Sequence, residues 1–430
     1  MASIMKDSGV PWIGSIPSHW DIGRTKSCYT NKKQVVGEDA ESYERLALTL
    51  NGVIKRSKED ATGLQPEAFN GYQILRENEL VFKLIDLENI STSRVGYSPY
   101  TGIVSPAYIV LKPRKENESK YGEYFFLSMW QREVFNHMGD DGVRSSLNTR
   151  DLLEIPYLLV PDVEKDKIVQ HLKKQCAEID DVIKKTKTTI EEYKKLKLAI
   201  VTETVTKGIR SNRQTKDSGY EFIGEIPSEW NICRLRNIGA PQNGISKGAE
   251  FFGKGYPFIS YGDVYKNYSL PETVAGLVES TEEERERYSV KTGDIFFTRT
   301  SETIEEVGFS CVCEKDMPDA TFAGFLIRVR PFTDDLYAGY SKYYFRSNHH
   351  RIYLVKEMNL VTRASLGQDL LKSMPVLVPP MDEQKEIADY LDKKCAEIDT
   401  LIEKKTALLE EMESYKKSVI YEYVTGKKEV

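Results

Sequence analysis

The sequence has no run approaching about 18 consecutive apolar residues and no apolar leader near its start, so a membrane-spanning helix or an export signal is not expected and the expected compartment is the cytoplasm. Cysteine is scarce and scattered, six in 430 residues, which points to free thiols in a reducing compartment rather than a disulfide framework. Metal ligands are equally thin. Cys311-Val312-Cys313 is too tightly spaced for a zinc site, and His349-His350 lie on an expected helix where neighbours point about 100° apart. There is no GxxxxGK[ST] phosphate loop, no GxGxxG and no Asn-Pro-Pro-aromatic tetrapeptide. Nucleotide hydrolysis, dinucleotide redox chemistry and adenine methylation therefore have no recognisable machinery in this chain. A net charge of −6 excludes a uniformly basic coat but leaves room for a local basic face. Catalysis by this chain alone is not expected, and neither a cofactor nor a metal is assigned to it.

What the chain does have, first, is one long uninterrupted stretch. No Pro or Gly occurs between Pro161 and Gly208, and Ile168, Leu172, Cys176, Ile179, Ile183, Ile190, Tyr193, Leu196 and Ile200 recur at steps of three, four or seven. That spacing predicts a helix over about 164–205 with one narrow apolar stripe, roughly 60 Å long at about 1.5 Å per residue. A stripe so narrow needs a partner helix. The chain supplies one at about 382–424, where Ile387, Leu391, Cys395, Ile398, Ile402, Leu409, Met412, Tyr415 and Val419 repeat the pattern. The text repeats as well: KKQCAEIDDVIKKT at 173–186 returns as DKKCAEIDTLIEKKT at 392–406, an offset of 219 residues. Pro161-Asp162 with Glu164-Lys165 superficially suggests a nuclease motif. Asp162 reads more simply as a helix N-cap, followed by an acidic first turn that the helix dipole favours.

The duplication extends beyond the helices. DSGVPWIGSIPSHW (7–20) is echoed by DSGYEFIGEIPSEW (217–230), each an extended, turn-containing strap whose Trp20 or Trp230 would anchor it in a core. Between strap and helix lie two modules. Strands are expected at 46–54, 72–84 and 107–113 and again at 256–264, 288–299 and 325–331, followed by helices at 120–138 and 339–358. VRSSLNTRDLL (143–153) then aligns with TRASLGQDLL (362–371), each leading through a Pro-containing strand into a long helix. The ends of the repeat agree and its middle diverges, so one frame carries two differently surfaced modules.

The paired IPSHW/IPSEW straps, FFGKGYPFISYGDV (251–264), KTGDIFFTR (291–299), the VRSSL and TRASL loops and the twin CAEID helices together resemble the specificity subunit of type I restriction–modification systems. The likeness spans essentially the whole chain. It implies an α+β fold with a pseudo-twofold internal repeat: target-recognition domains at 1–160 and 209–378, joined by long helices at 161–208 and 379–430 that pack antiparallel as a coiled coil. It further implies that each domain reads half of a bipartite site in double-stranded DNA. Methyltransferase subunits carrying S-adenosylmethionine, and restriction subunits, would be the protein partners, with no membrane involved. The alternative is a coiled-coil protein–protein adaptor without a DNA role.

For DNA contact, Arg144 and Arg363 stand three residues before the matched Leu147 and Leu366. Arginine there would suit phosphate or a guanine edge, or would fasten module to frame by an ion pair. Lys247, in the Gly-flanked NGISKG loop, suits a phosphate. Arg299 follows a strand at its exit, and Lys83 and Arg94 are its rough first-module counterparts. The plain alternative for each is a solvated surface cation.

Overall fold

The computed structural model describes residues 4–60, 68–87, 93–138, 146–301, 307–357 and 364–430. Its contacts divide the chain into two units, Met1–Lys187 with Ala407–Val430, and Thr188–Thr406. Each unit thus takes one module and a share of both long helices.

In unit 1 the strap is a small hairpin, the exposed Met5–Asp7 against Ser15–Pro17, whose Ile16 and Pro17 are buried. Asp7 accepts the Gly9 amide at 3.0 Å, and Gly9 and Gly14 take the positive φ that the turn demands. Trp20 is buried as expected, and its indole N–H donates to Glu164 Oε2 at 2.8 Å, tying strap to long helix. Asp21–Arg24 pairs with the Pro-containing strand Pro156–Leu159. Two four-stranded sheets follow: Gly52–Arg56, Arg45–Thr49, Gly102–Val104 and Gln73–Leu75 in one, and Tyr29–Thr30, Ile109–Pro113, Leu80–Phe82 and Val95–Tyr97 in the other. The second packs Phe82 against Phe126 of the helix Glu118–Gln131, edge-on at 5.1 Å.

Unit 2 repeats the plan with a different filling. Its strap is Thr215–Asp217 against Glu225–Pro227, and Trp230 donates to Glu383 Oε2 at 2.8 Å. The main sheet runs Gly239–Asn243, Leu326–Pro331, Ile295–Thr298 and Ser310–Val312, and a second holds Leu277–Val278, Phe252–Ile259 and Thr321–Phe322.

Several expected elements break at local turn chemistry. Residues 46–54 form a hairpin, Arg45–Thr49 with Gly52–Arg56, because Gly52 adopts φ 87° after Asn51. Residues 72–84 divide into Gln73–Leu75 and Leu80–Phe82 around Asn78 at φ 66°. The strand through 256–264 ends at Ile259, where Ser260 and Asp263 form a capping box that starts a helix, Tyr261–Lys266. Of 288–299 only Ile295–Thr298 is strand. The helix expected at 120–138 stops at Gln131, before Glu133 at φ 57°, and that at 339–358 is two helices, Ala338–Tyr344 and Asn348–Glu357.

The long helices run Asp162–Lys207 and Met381–Val424. Each is followed by a left-handed glycine, Gly208 at φ 72° and Gly426 at φ 69°, the residue that best terminates a helix. Asp162 is the first helical residue rather than the cap, and its carboxylate pairs with Lys115 at 3.0 Å. In unit 1, Ile168, Leu172, Cys176 and Ile179 share a core with Val419, Ile420 and Val424, while Lys416 Nζ reaches both Asp180 oxygens at 2.6 and 2.7 Å. In unit 2, Val201 and Val205 share a core with Ile387, Leu391 and Cys395, while Lys197 Nζ reaches both Asp399 oxygens at 2.8 and 2.6 Å. In both units partner numbers rise along one helix as they fall along the other. Apolar burial, about 1.5–3 kcal/mol per fully buried Leu or Ile, outweighs these part-exposed ion pairs at about 0–1 kcal/mol. All six cysteines are free.

Candidate nucleic-acid interface

The repeated SL motifs explain themselves through main-chain bonds. In unit 2 the strand Ile295–Thr298 lies against Leu326–Pro331, with Thr298 opposite Leu326. One residue further, the Arg299 amide donates to the Phe325 carbonyl at 2.9 Å, and the Arg299 carbonyl accepts from Leu366 at 2.7 Å. In unit 1, Phe82 lies opposite Ile109, and the Leu84 carbonyl accepts from Leu147 at 2.9 Å. Leu147 and Leu366 are both buried. The matched leucine is thus a latch that ties its own backbone to the end of a sheet strand.

This register fixes the correspondence between the units. Lys83 and Thr298 each donate their amide to the residue opposite, Arg94 and Phe309 respectively, at 3.0 and 2.8 Å. Leu84, rather than Lys83 or Arg94, is therefore the counterpart of Arg299. The same count along the sheet pairs makes Ala107 the counterpart of Phe325.

The six cations named from the sequence fare differently. Arg144 and Arg363 lie outside the described residues. Lys83 is half-buried on the strand exit. Arg94 is fully buried, its guanidinium donating to the Asp86 carbonyl, and burial lowers its pKa. No groove contact is open to it in this arrangement. Lys247 is held rather than free: Nζ meets Glu284 Oε2 at 2.7 Å and the Glu279 carbonyl at 2.6 Å, leaving its side chain 13% exposed. It pins its loop to the acidic helix Glu282–Arg287. Arg299 remains half-exposed at the latch, and among the described residues its side chain makes no hydrogen bond or ion pair.

Two neighbours of Arg299 escaped the sequence reading. Phe325 is 66% exposed, yet as the first residue of an apolar run it read as strand interior. Asn243, opposite Ile327 on the other side of the same strand, accepts a hydrogen bond from the Gln368 amide at 3.1 Å. No sequence signal singled them out, because the middle of the repeat diverges at most positions.

The side chains weighed for nuclease and zinc chemistry are buried or paired. Lys165, part of the nuclease-like text, forms a buried ion pair with Glu118 at 2.7 Å, and Tyr157 donates to the same carboxylate at 2.9 Å. Cys311 and Cys313 are buried, and desolvation pushes both thiols up, Cys313 to about 12. Among the described residues no group of His, Cys, Asp and Glu is placed to hold a metal, and no helix is long and apolar enough to cross a membrane.

With this geometry in place, comparison with known proteins is informative. Residues 227–411, from the second strap into the second long helix, match the family model of the type I restriction modification DNA specificity domain. Over those residues the chain is similar to the type I restriction–modification specificity subunits. Members of that family resemble it over most of its length. The EcoKI specificity subunit of Escherichia coli is 24% identical over 90% of this chain and 84% of its own. The MjaVIII specificity subunit of Methanocaldococcus jannaschii is 24% identical over 82% of this chain and 80% of its own. A chain solved in a structural study of type I R-M complex assembly shares the fold, with a TM-score of 0.72 at 15% identity over 96% of this chain and 99% of that one.

Proposed function

We propose that this chain is the DNA-reading subunit of a type I restriction–modification assembly, with each unit reading one half of a bipartite duplex site. The observation that carries the reading is the double latch. The same main-chain bonds close Leu84 onto Leu147 and Arg299 onto Leu366, while the side chains around them differ. Two readers of different half-sites require a common frame under unlike surfaces, because base contacts specify and frame contacts only position.

In this reading the two long helices pair head-to-tail as a coiled coil about a pseudo-twofold axis and set the spacer between half-sites. Support comes from the ion pairs. Lys416 with Asp180 and Lys197 with Asp399 are one interaction made twice with the repeats exchanging roles, which is the signature of an isologous contact. The chain does no chemistry; methyltransferase subunits bring S-adenosylmethionine, and restriction subunits complete the assembly. No observation favours the alternative of an adaptor without a DNA role.

The test is a footprint of the assembled complex on the duplex whose modified bases are mapped by methylome sequencing of a host expressing the full system. Two protected blocks separated by an unread spacer are expected. A single contiguous block, or no sequence-dependent protection, refutes the reading.

A further inference from the structure

The main sheet of unit 2 carries its core face, Ile295, Phe297, Ile327 and Val329, up to the latch. One pair beyond the strand ends, at the turn that opens Leu326–Pro331, the Arg299–Phe325 main-chain bond extends this register, and the alternation of paired strands assigns both residues to that face. Asn243 lies on it too, opposite Ile327, with Gln368 bonded to it. The face therefore changes, within one residue pair, from packed core to a strip of one guanidinium, two amides and a phenyl ring 66% exposed.

Solvent-exposed phenylalanine needs no explanation by itself, but this one differs from its nearest equivalent. Phe332, at the other end of the strand Leu326–Pro331, is 64% exposed and stands beside Asp334 and Asp335, a setting that repels a phosphate backbone. Among the described residues, none of the strand positions sharing the face with Phe325 bears a carboxylate. In unit 1 the corresponding pair is Leu84 and Ala107, so ring and guanidinium are present in one copy and absent from the other, as expected of residues that tell half-sites apart.

We infer that Phe325 is a specificity-determining residue of unit 2, a tooth that packs against the 5-methyl group of a thymine in the major groove, with Arg299 and the Asn243–Gln368 pair reading bases beside it. The chemistry matches the groove code: the thymine methyl takes apolar contact, guanine takes Arg, and adenine takes Asn or Gln. The inference rests on the DNA-reading role proposed above and adds a named contact to it.

The experiment uses the specificity subunit assembled with its methyltransferase subunits and duplexes carrying the mapped site. Each thymine of the half-site read by unit 2 is replaced in turn by uracil, which removes only the 5-methyl group. For the wild-type complex one such replacement is expected to weaken binding roughly tenfold at fixed salt. In the Phe325→Ala complex, affinity for the thymine duplex falls by a similar factor and that uracil effect disappears, while the other half-site is read as before. Because Phe325 is exposed, the variant should keep the wild-type Tm, and Phe325→Leu should restore part of the methyl effect. If Phe325→Ala distinguishes thymine from uracil as the wild type does, or no thymine is sensitive although the split site is bound, the tooth is refuted and the DNA-reading role survives. If the wild-type complex shows no sequence-dependent binding, both fall together.

Discussion

Burial decides which cations are available. Arg94 and Arg299 look alike in the sequence, each a lone arginine in a β-rich stretch, yet one is enclosed against the Asp86 carbonyl and the other stands at a sheet end. Substituting them should therefore give opposite phenotypes. Arg299→Ala is expected to keep the wild-type Tm and lose roughly tenfold or more in affinity for the mapped duplex. Arg94→Ala is expected to lose about 1–3 kcal/mol of stability in urea denaturation, because a buried hydrogen-bonding group loses its partner. Its folded fraction should read DNA normally. Such a distinction is not legible from sequence, since it depends on which strand crosses above the residue. Lys247 teaches the same lesson: glycine neighbours suggested a free arm, and Glu284 holds it down.

The buried histidines carry a second residue-scale prediction. Burial pushes His350 down to about 3 and His349 well below its ordinary value. The folded chain refuses protons that the unfolded chain accepts below about pH 6.5. Their contribution is therefore complete above about pH 6.5 and is lost as pH falls, for His350 by about 1.4 kcal/mol per pH unit down to about pH 3. Urea midpoints measured from pH 7 to pH 4 should decline, and His350→Asn should make the decline shallower. An unchanged slope would place the acid sensitivity elsewhere.

At the scale of elements, the two straps use the same Trp–Glu bond in unlike settings. In unit 2 Glu383 is fully buried and also receives Arg213, whose guanidinium lies over the Trp230 ring at 5.5 Å. In unit 1 the partner of Glu164 is His19 at 2.8 Å, and both side chains are substantially exposed. Glu383→Gln leaves the nearly buried Arg213 guanidinium with only the part-exposed Glu229 at 3.4 Å and should cost about 3 kcal/mol, whereas Glu164→Gln should cost about 1 kcal/mol or less. Chemical denaturation of the two variants compares them directly. The helices themselves were legible to within a few residues, because a 3.6-residue apolar period over 40 positions leaves little choice. The strands were legible in place but not in number: Asn51-Gly52 and Asn78 sit inside runs that look continuous by hydropathy, yet the first turns a hairpin and the second separates strands of two different sheets. The strap bond was half visible, as a tryptophan that had to be buried, while its acceptor some 144 residues away was not.

For the whole molecule, a net charge of −6 does not preclude steep salt dependence, since only the cations that meet phosphate release counterions. Affinity for the mapped duplex should fall linearly on logarithmic axes as salt rises. If the helix pair sets the spacer, deleting matched whole turns from both long helices should shorten the preferred distance between half-sites, as read by methylation mapping. An unchanged spacer would assign that distance to the partner subunits. The candidate site was legible only as a region, the divergent middle of a repeat, because a sequence shows where two copies differ before it shows which differences face outward.

The latches at Leu147 and Leu366 have a further consequence for inheritance. Their hydrogen bonds join peptide groups, which every amino acid except proline supplies, and each leucine fills its own socket. Mutation can therefore rewrite the lettering around either joint again and again without re-cutting the joint, and a lineage can acquire a new vocabulary while keeping its grammar.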